Sequence, residues 1–213
     1  MRKKHTSKIL VITALGLLLL STLIIIFPLS SIDIRISEEV QATHSPLLDL
    51  LMVAISWFGH IWVSVIMVSI STGLLLLFKH KMEAIYCFLT LGIGLLTYVV
   101  KISVNRPRPG FKLVRIIEHA KFQGFPSGHV AFYIAFFGLM AFYFYRNKWL
   151  KKSFRITITT FCLGIIFLIP FSRVYLGAHW FTDVFGGFLE GCFYLTLLIY
   201  FYLDGKESAF RKL

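Results

Sequence analysis

The sequence predicts an all-α fold: a six-transmembrane-helix bundle with both termini cytoplasmic and a short interfacial helix after the first span. Three observations carry that expectation. The 213-residue chain is 57% hydrophobic and only 15% charged, with a mean hydropathy of +0.78, too little polar surface for a soluble domain of this length. Its apolar residues come in long unbroken runs, not in alternation. Its basic residues gather at the ends of those runs. The length suits one domain, 1–213.

Six runs are long enough to span: 8–27, 61–78, 83–104, 127–145, 155–172 and 179–202. The first follows Met1-Arg-Lys-Lys. It is longer than the apolar region of a signal peptide and no small-residue cleavage site follows, so it reads as an uncleaved anchor. The stretch 31–43 is polar. The next, 45–58, is apolar but short, which suits a helix lying flat near the headgroups or one packed on the bundle. In the last run Gly187 and Gly191 make a GxxxG pair suited to close helix packing. Cys87, Cys162 and Cys192 lie inside apolar runs and read as small packing residues.

Orientation follows from Lys and Arg. Arg2, Lys3, Lys4 and Lys8 flank the first run; Lys79 and Lys81 separate the second and third. Arg146, Lys148, Lys151, Lys152 and Arg155 separate the fourth and fifth, and Lys206, Arg211 and Lys212 follow the sixth. With six spans all four groups fall on one side, the cytoplasmic one. A net charge of +12 would suggest nucleic acid in a soluble protein; here the charges mark topology and no nucleic-acid partner is expected. The outer side receives 29–60, the loop 105–126 and the turn 173–178. It also carries a second basic cluster, 101–121, against the positive-inside bias, and that cost points to function.

Three stretches on that outer side carry chemistry. In the first, Lys101 and Arg108 are seven residues apart, and Pro107 and Pro109 force the chain to turn between them and the next helix. In the second, Pro126-Ser127-Gly128-His129 reads as a helix start. Ser127 is a candidate N-cap, Gly128 leaves the approach open, and His129 falls on the first turn. Free N–H groups at such a start attract an anion. In the third, His179 and Asp183 are four apart on one helix face, so Asp183 can accept from one ring nitrogen and leave the other free to attack; Arg173 lies across a short turn. Lys101, Arg108 and Arg173 with the Ser127 donors match a phosphate dianion. His179 suits a nucleophile and His129 a proton donor. Metal-assisted hydrolysis fits less well, because Asp33, Glu38, Glu39, Asp49 and Glu118 are scattered in the sequence.

Lys-x6-Arg-Pro, then Pro-Ser-Gly-His, then Ser-Arg-x5-His-x3-Asp resembles the three-part signature of the type 2 phosphatidic acid phosphatase superfamily. The match runs through Lys101, Arg108 and Pro109; Pro126 to His129; and Ser172, Arg173, His179 and Asp183, over the region 101–183, with no position departing from the pattern. The resemblance implies a membrane lipid phosphatase that needs no metal and no cofactor. It implies His179 as nucleophile, Asp183 as its orienting partner and His129 as general acid. Lys101, Arg108, Ser127, Gly128 and Arg173 would hold the phosphate. Similar bacterial enzymes act on phosphatidylglycerophosphate, phosphatidate or undecaprenyl diphosphate, so a lipid phosphate in the bilayer is the implied partner. Two alternatives stand beside it. One is a non-enzymatic protein that binds anionic headgroups; the other is vanadate-dependent haloperoxidase-like chemistry in the same pocket.

The remaining charges read as ordinary. Arg106, Lys112, Arg115 and Lys121 suit headgroup anchors, solvated charges or substrate contacts, and Glu118 and His119 could select substrates. His5, His44, His60 and His80 read as interfacial or hydrogen-bonded. Glu190 falls near mid-span on the face of His179 and Asp183, where a protonated, hydrogen-bonded carboxyl is expected.

Overall fold

The computed structural model describes residues 2–120 and 122–210, with side chains over 6–120 and 122–205. Lys121, Arg211 and Lys212, and the side chains of Arg2, Lys3, Lys4, His5 and Lys206, therefore lie outside the described residues. In order come α1 (Arg2–Ile26), α2 (Ser31–Gln41), α3 (Pro46–Trp57), α4 (Ile61–Leu77), α5 (Lys81–Leu89), a 3-10 turn (Thr90–Gly92), α6 (Ile93–Val104), α7 (Gly128–Arg146), α8 (Lys152–Tyr175) and α9 (Phe181–Phe210). Five segments are long and apolar enough to cross a bilayer by themselves: Thr6–Ile26, Lys81–Val104, Gly128–Arg146, Lys152–Tyr175 and Phe181–Gly205. α4 has only 17 residues; α3 and α4 together, bent by 53°, make a sixth candidate.

The stretch 45–58 is helical, as expected. It folds as α3 and packs on the bundle, where Ser172 Oγ donates to the Met52 carbonyl at 2.7 Å and the Tyr133 hydroxyl to that of Ile55. Carbonyls near the corner before α4 thus find protein donors, and Ser56 is buried. The polar stretch 31–43 is also helical. Ser30 caps α2 by accepting from the Asp33 N–H at 3.2 Å, and α2 turns Asp33 and Ser37 inward.

α7 forms the core. About two thirds of it is buried, 67%, against 11% for α1 and for α8, whose apolar side chains face outward as a bilayer requires. α8 and α9 pack on either side of α7. Gly187 and Gly191 allow the closest approach: a Cβ on Gly187 would stand 2.5 Å from the Ser127 carbonyl oxygen, and one on Gly191 3.0 Å from that of Ala131. This contact sets the start of α9 beside the start of α7, and the Ser127 N–H donates to the Asp183 carbonyl at 2.9 Å. The ends of α6 and α8, the starts of α7 and α9 and the α3–α4 corner meet at one end of the bundle.

Candidate active site

Three cationic side chains approach this end from three elements. α6 stops at Asn105, which takes the left-handed conformation (φ 49°) and returns its N–H to the Lys101 carbonyl at 2.8 Å. Lys101 on that last turn reaches the carbonyls of Gln123 at 2.6 Å and Pro126 at 2.8 Å, tying the loop before α7 to α6. Arg108 turns back across the site. Its Nε donates to the Phe122 carbonyl, and one Nη donates to that of Ala178 at 2.5 Å and stands 3.2 Å from His179 Nε2. Burial, and then the Arg173 charge, push Arg108 down to about 10, so it stays charged at neutral pH with carbonyls and a ring for partners instead of a carboxylate. Arg173 is buried at the end of α8, where one Nη donates to Glu118 Oε2 at 2.7 Å and to Ser56 Oγ, and its Nε has no partner.

Ser127 holds the N-cap position of α7 with extended backbone, as its place in the sequence suggests. Its side chain makes no capping hydrogen bond; the hydroxyl is buried and without a partner. A buried hydroxyl at a helix start, beside N–H groups that have no carbonyl one turn back, is a donor set for an anion. Gly128 follows, and His129 sits on the first turn with Nε2 buried and unpartnered.

His179 is not on the helix. α9 begins at Phe181, and His179 lies in the tight turn after α8, where its N–H and that of Ala178 return to the Arg173 carbonyl at 3.3 and 3.2 Å. The spacing to Asp183 still pairs the two: His179 Nδ1 stands 3.5 Å from Asp183 Oδ2, an ion-pair distance and longer than a formed hydrogen bond. The helix start explains the gap, because Oδ2 accepts from the Trp180 N–H at 2.9 Å and so caps α9 from its third residue. Burial first, then the charges of Arg108, Arg173 and Lys101, hold the His179 imidazole well below its ordinary value, so it is neutral at neutral pH. With Nδ1 toward a carboxylate and Nε2 toward a guanidinium, the geometry suits the tautomer that carries its proton on Nδ1.

Arg106 is neither a headgroup anchor nor a solvated charge. It is 2% exposed, and its guanidinium bridges two buried carboxylates: Asp33 Oδ2 at 2.6 Å and Asp183 Oδ1. Its Nε donates to the Pro28 carbonyl at 2.7 Å, and Thr182 joins through Oγ1 at 2.7 Å and by donating its N–H to Asp33 Oδ1 at 2.9 Å. The oxygen of Asp183 away from His179 is thus fixed by Arg106. The sequence offers one hint, an acid three residues after the cap of α2, and nothing that links it to the loop or to α9.

The remaining charged side chains near this end divide between buried, partnered groups and an exposed rim. Glu118 is not free; burial pushes its carboxyl up, but Arg173, with smaller help from His60 and Ser56, outweighs that and holds it below its ordinary value. Arg115 pairs with Asp49 at the rim, while Lys112 and His119 are exposed. Glu190 is fully buried and accepts from Thr97 Oγ1 at 3.0 Å through one oxygen, the other having no partner.

The chain is similar in sequence and fold to known proteins. Residues 83–206 match the family described as the PAP2 superfamily. Phosphatidylglycerophosphatase B of Bacillus subtilis is 27% identical over 184 residues, covering 85% of this chain and 86% of its own length. The lipid A 1-phosphatase of Rhizobium etli is 32% identical over 125 residues, 54% of this chain and 49% of its own. Among solved structures, the transmembrane PAP2-type phosphatidylglycerolphosphate phosphatase of Bacillus subtilis superposes with a TM-score of 0.81 at 26% identity, over 92% of this chain and 96% of that one.

Proposed function

The chain belongs to the PAP2 superfamily, and from that premise we propose that it is a metal-independent lipid phosphate phosphatase acting through a phosphohistidine. The observation that carries this reading is the Arg108 guanidinium 3.2 Å from the free nitrogen of a neutral, buried His179. A phosphate held by Lys101, Arg108 and Arg173, by the Ser127 hydroxyl and by N–H groups from Gly128 onward lies within reach of that nitrogen. His179 Nε2 attacks phosphorus, the ester oxygen leaves, and His129 gives that oxygen its proton. Asp183 stabilises the Nδ1–H side as the ring becomes positive, while the three cations take the charge that builds on the equatorial oxygens. Water then attacks the phosphohistidine, with His129 taking its proton, and His179 is restored.

The bent α3–α4 pair counts as the sixth span in this reading, the termini are cytoplasmic, and the catalytic end faces outward. What supports it is charge: Lys79, Lys81, Arg146, Lys148, Lys151, Lys152 and Arg155 all lie at loops opposite the catalytic end. An outward site suits a lipid phosphate of the outer leaflet, either a phosphatidylglycerophosphate-like monoester or undecaprenyl diphosphate. Phosphate release in EDTA from these lipids, from phosphatidate and from a soluble monoester tests the proposal. Turnover of at least one lipid is expected. A strict Mg²⁺ requirement, or turnover retained by His179→Ala, refutes the mechanism.

A further inference from the structure

The α3–α4 corner brings a group to the site that the phosphatase reading leaves unused. His60 lies edge-on to His129, with ring centroids 5.8 Å apart. Gly59 permits this approach, since a Cβ there would stand 2.2 Å from the His129 ring. Glu118 closes the third side. Its Oε2 is committed to Arg173 at 2.7 Å and Ser56 Oγ at 3.3 Å, while Oε1 faces His60 Nε2 at 3.8 Å. One candidate ligand atom from each of His60, Glu118 and His129 lies within 4.8 Å of the other two. His129 Nε2 has no hydrogen-bond partner although it is buried.

We infer that His60, Glu118 and His129 form a binding site for a late first-row divalent cation of the Zn²⁺ type, and that filling it stops turnover. Two imidazoles and a carboxylate are a Zn²⁺ donor set with the fourth position open. Bonds of about 2.0–2.2 Å place tetrahedral ligands roughly 3.4 Å apart. The gap left to close is small, and His60 can close it, because its side chain is 47% exposed and free to turn. Glu118 is already oriented by Arg173 and Ser56, as a carboxylate ligand is by its outer partners. The surrounding charge selects the cation. One carboxylate already paired with Arg173 and close to Arg108 gives little hold on Mg²⁺ or Ca²⁺, which want several oxygen ligands. Zn²⁺ binds through the two imidazole nitrogens, which suit it better than oxygen-seeking cations.

A cation on His129 occupies the ring that the proposed reaction uses as proton donor, so the inhibitory half of the inference rests on that reading. The metal site itself does not. Two readouts on the full chain in detergent keep them separate. Co²⁺ serves as a spectroscopic probe of the site, and phosphate release from a soluble monoester reports turnover. The wild-type chain should give a tetrahedral Co²⁺ absorption that Zn²⁺ displaces. Zn²⁺ should lower phosphate release at least about tenfold, EDTA should restore it and Mg²⁺ should do nothing. His60→Ala should keep its basal turnover, lose the Co²⁺ absorption and need at least about tenfold more Zn²⁺ for half-inhibition, the scale on which supporting groups alone tune metal affinity. Inhibition of His60→Ala equal to that of wild type, or no Co²⁺ absorption in wild type, overturns the inference. A His60-dependent Co²⁺ absorption in a chain that releases phosphate from no substrate refutes the phosphatase reading and upholds the metal site.

Discussion

Replacing Arg106 with methionine tests whether Asp183, the proposed partner of His179, is held by a charge network or merely by its helix. Methionine keeps much of the length and apolar stem but removes the guanidinium. Asp33 and Asp183, both 0% exposed, would then face each other's surroundings with no counter-charge. Breaking a buried pair from one side costs about 3–5 kcal/mol, because a charge is left uncompensated. At roughly 2–4 °C per kcal/mol for a chain of this size, melting should fall by about 6–20 °C. Phosphate release measured well below that melting point should drop at least about tenfold, a loss of roughly 1.4 kcal/mol in the barrier, as Asp183 loses the anchor on the oxygen away from His179. Asp33→Asn supplies the control. In its background Arg106→Met should cost about 1–3 kcal/mol less, since one of the two orphaned carboxylates is gone. Melting of Arg106→Met within about 2 °C of wild type, with wild-type turnover, would refute the network. So would strict additivity of the two substitutions.

Other expectations follow from the same geometry. Removing the Arg108 charge removes a cause that lowers the His179 value, so in Arg108→Ala the acid limb of kcat/KM should move to higher pH; comparison with wild type on one substrate cancels the substrate's own ionisation. The same variant should lose about 1.5–3 kcal/mol of transition-state binding, roughly tenfold to more than a hundredfold in kcat/KM, read from steady-state kinetics. Gly177→Ala should lower the melting temperature and activity together, because Gly177 has φ +67° and a Cβ there would stand 2.2 Å from the Arg115 carbonyl oxygen, at the turn that carries His179. A cysteine at the exposed Lys112, in a chain otherwise free of cysteine, should react with an impermeant thiol reagent on intact cells. Labelling only after lysis would invert the topology.

The sequence by itself determined the membrane class, the places of the apolar helices and the family signature with its cations and histidines. These depend on residue type and local spacing: apolar run length, basic residues at run ends, and cations and histidines next to helix ends. The GxxxG pair was legible for the same reason, as a local pattern that marks close packing. Tertiary structure decided what depends on partners far apart in the chain. Arg106 looked like one more loop cation until Asp33, from α2, and Asp183, from α9, met it in the interior. His60 looked interfacial until the α3–α4 corner set it against His129. The stretch 45–58 had the length of a surface helix, and only the fold showed that the side with Met52, Ile55 and Ser56 packs on the bundle while Leu47, Leu50 and Leu51 stay exposed. The link between His179 and Asp183 was read from a helical spacing that the backbone does not have there. Their closeness comes from the turn before α9 and from the carboxylate that caps it, because a cap brings a third-residue side chain back to the helix start whether or not the residue before it is helical.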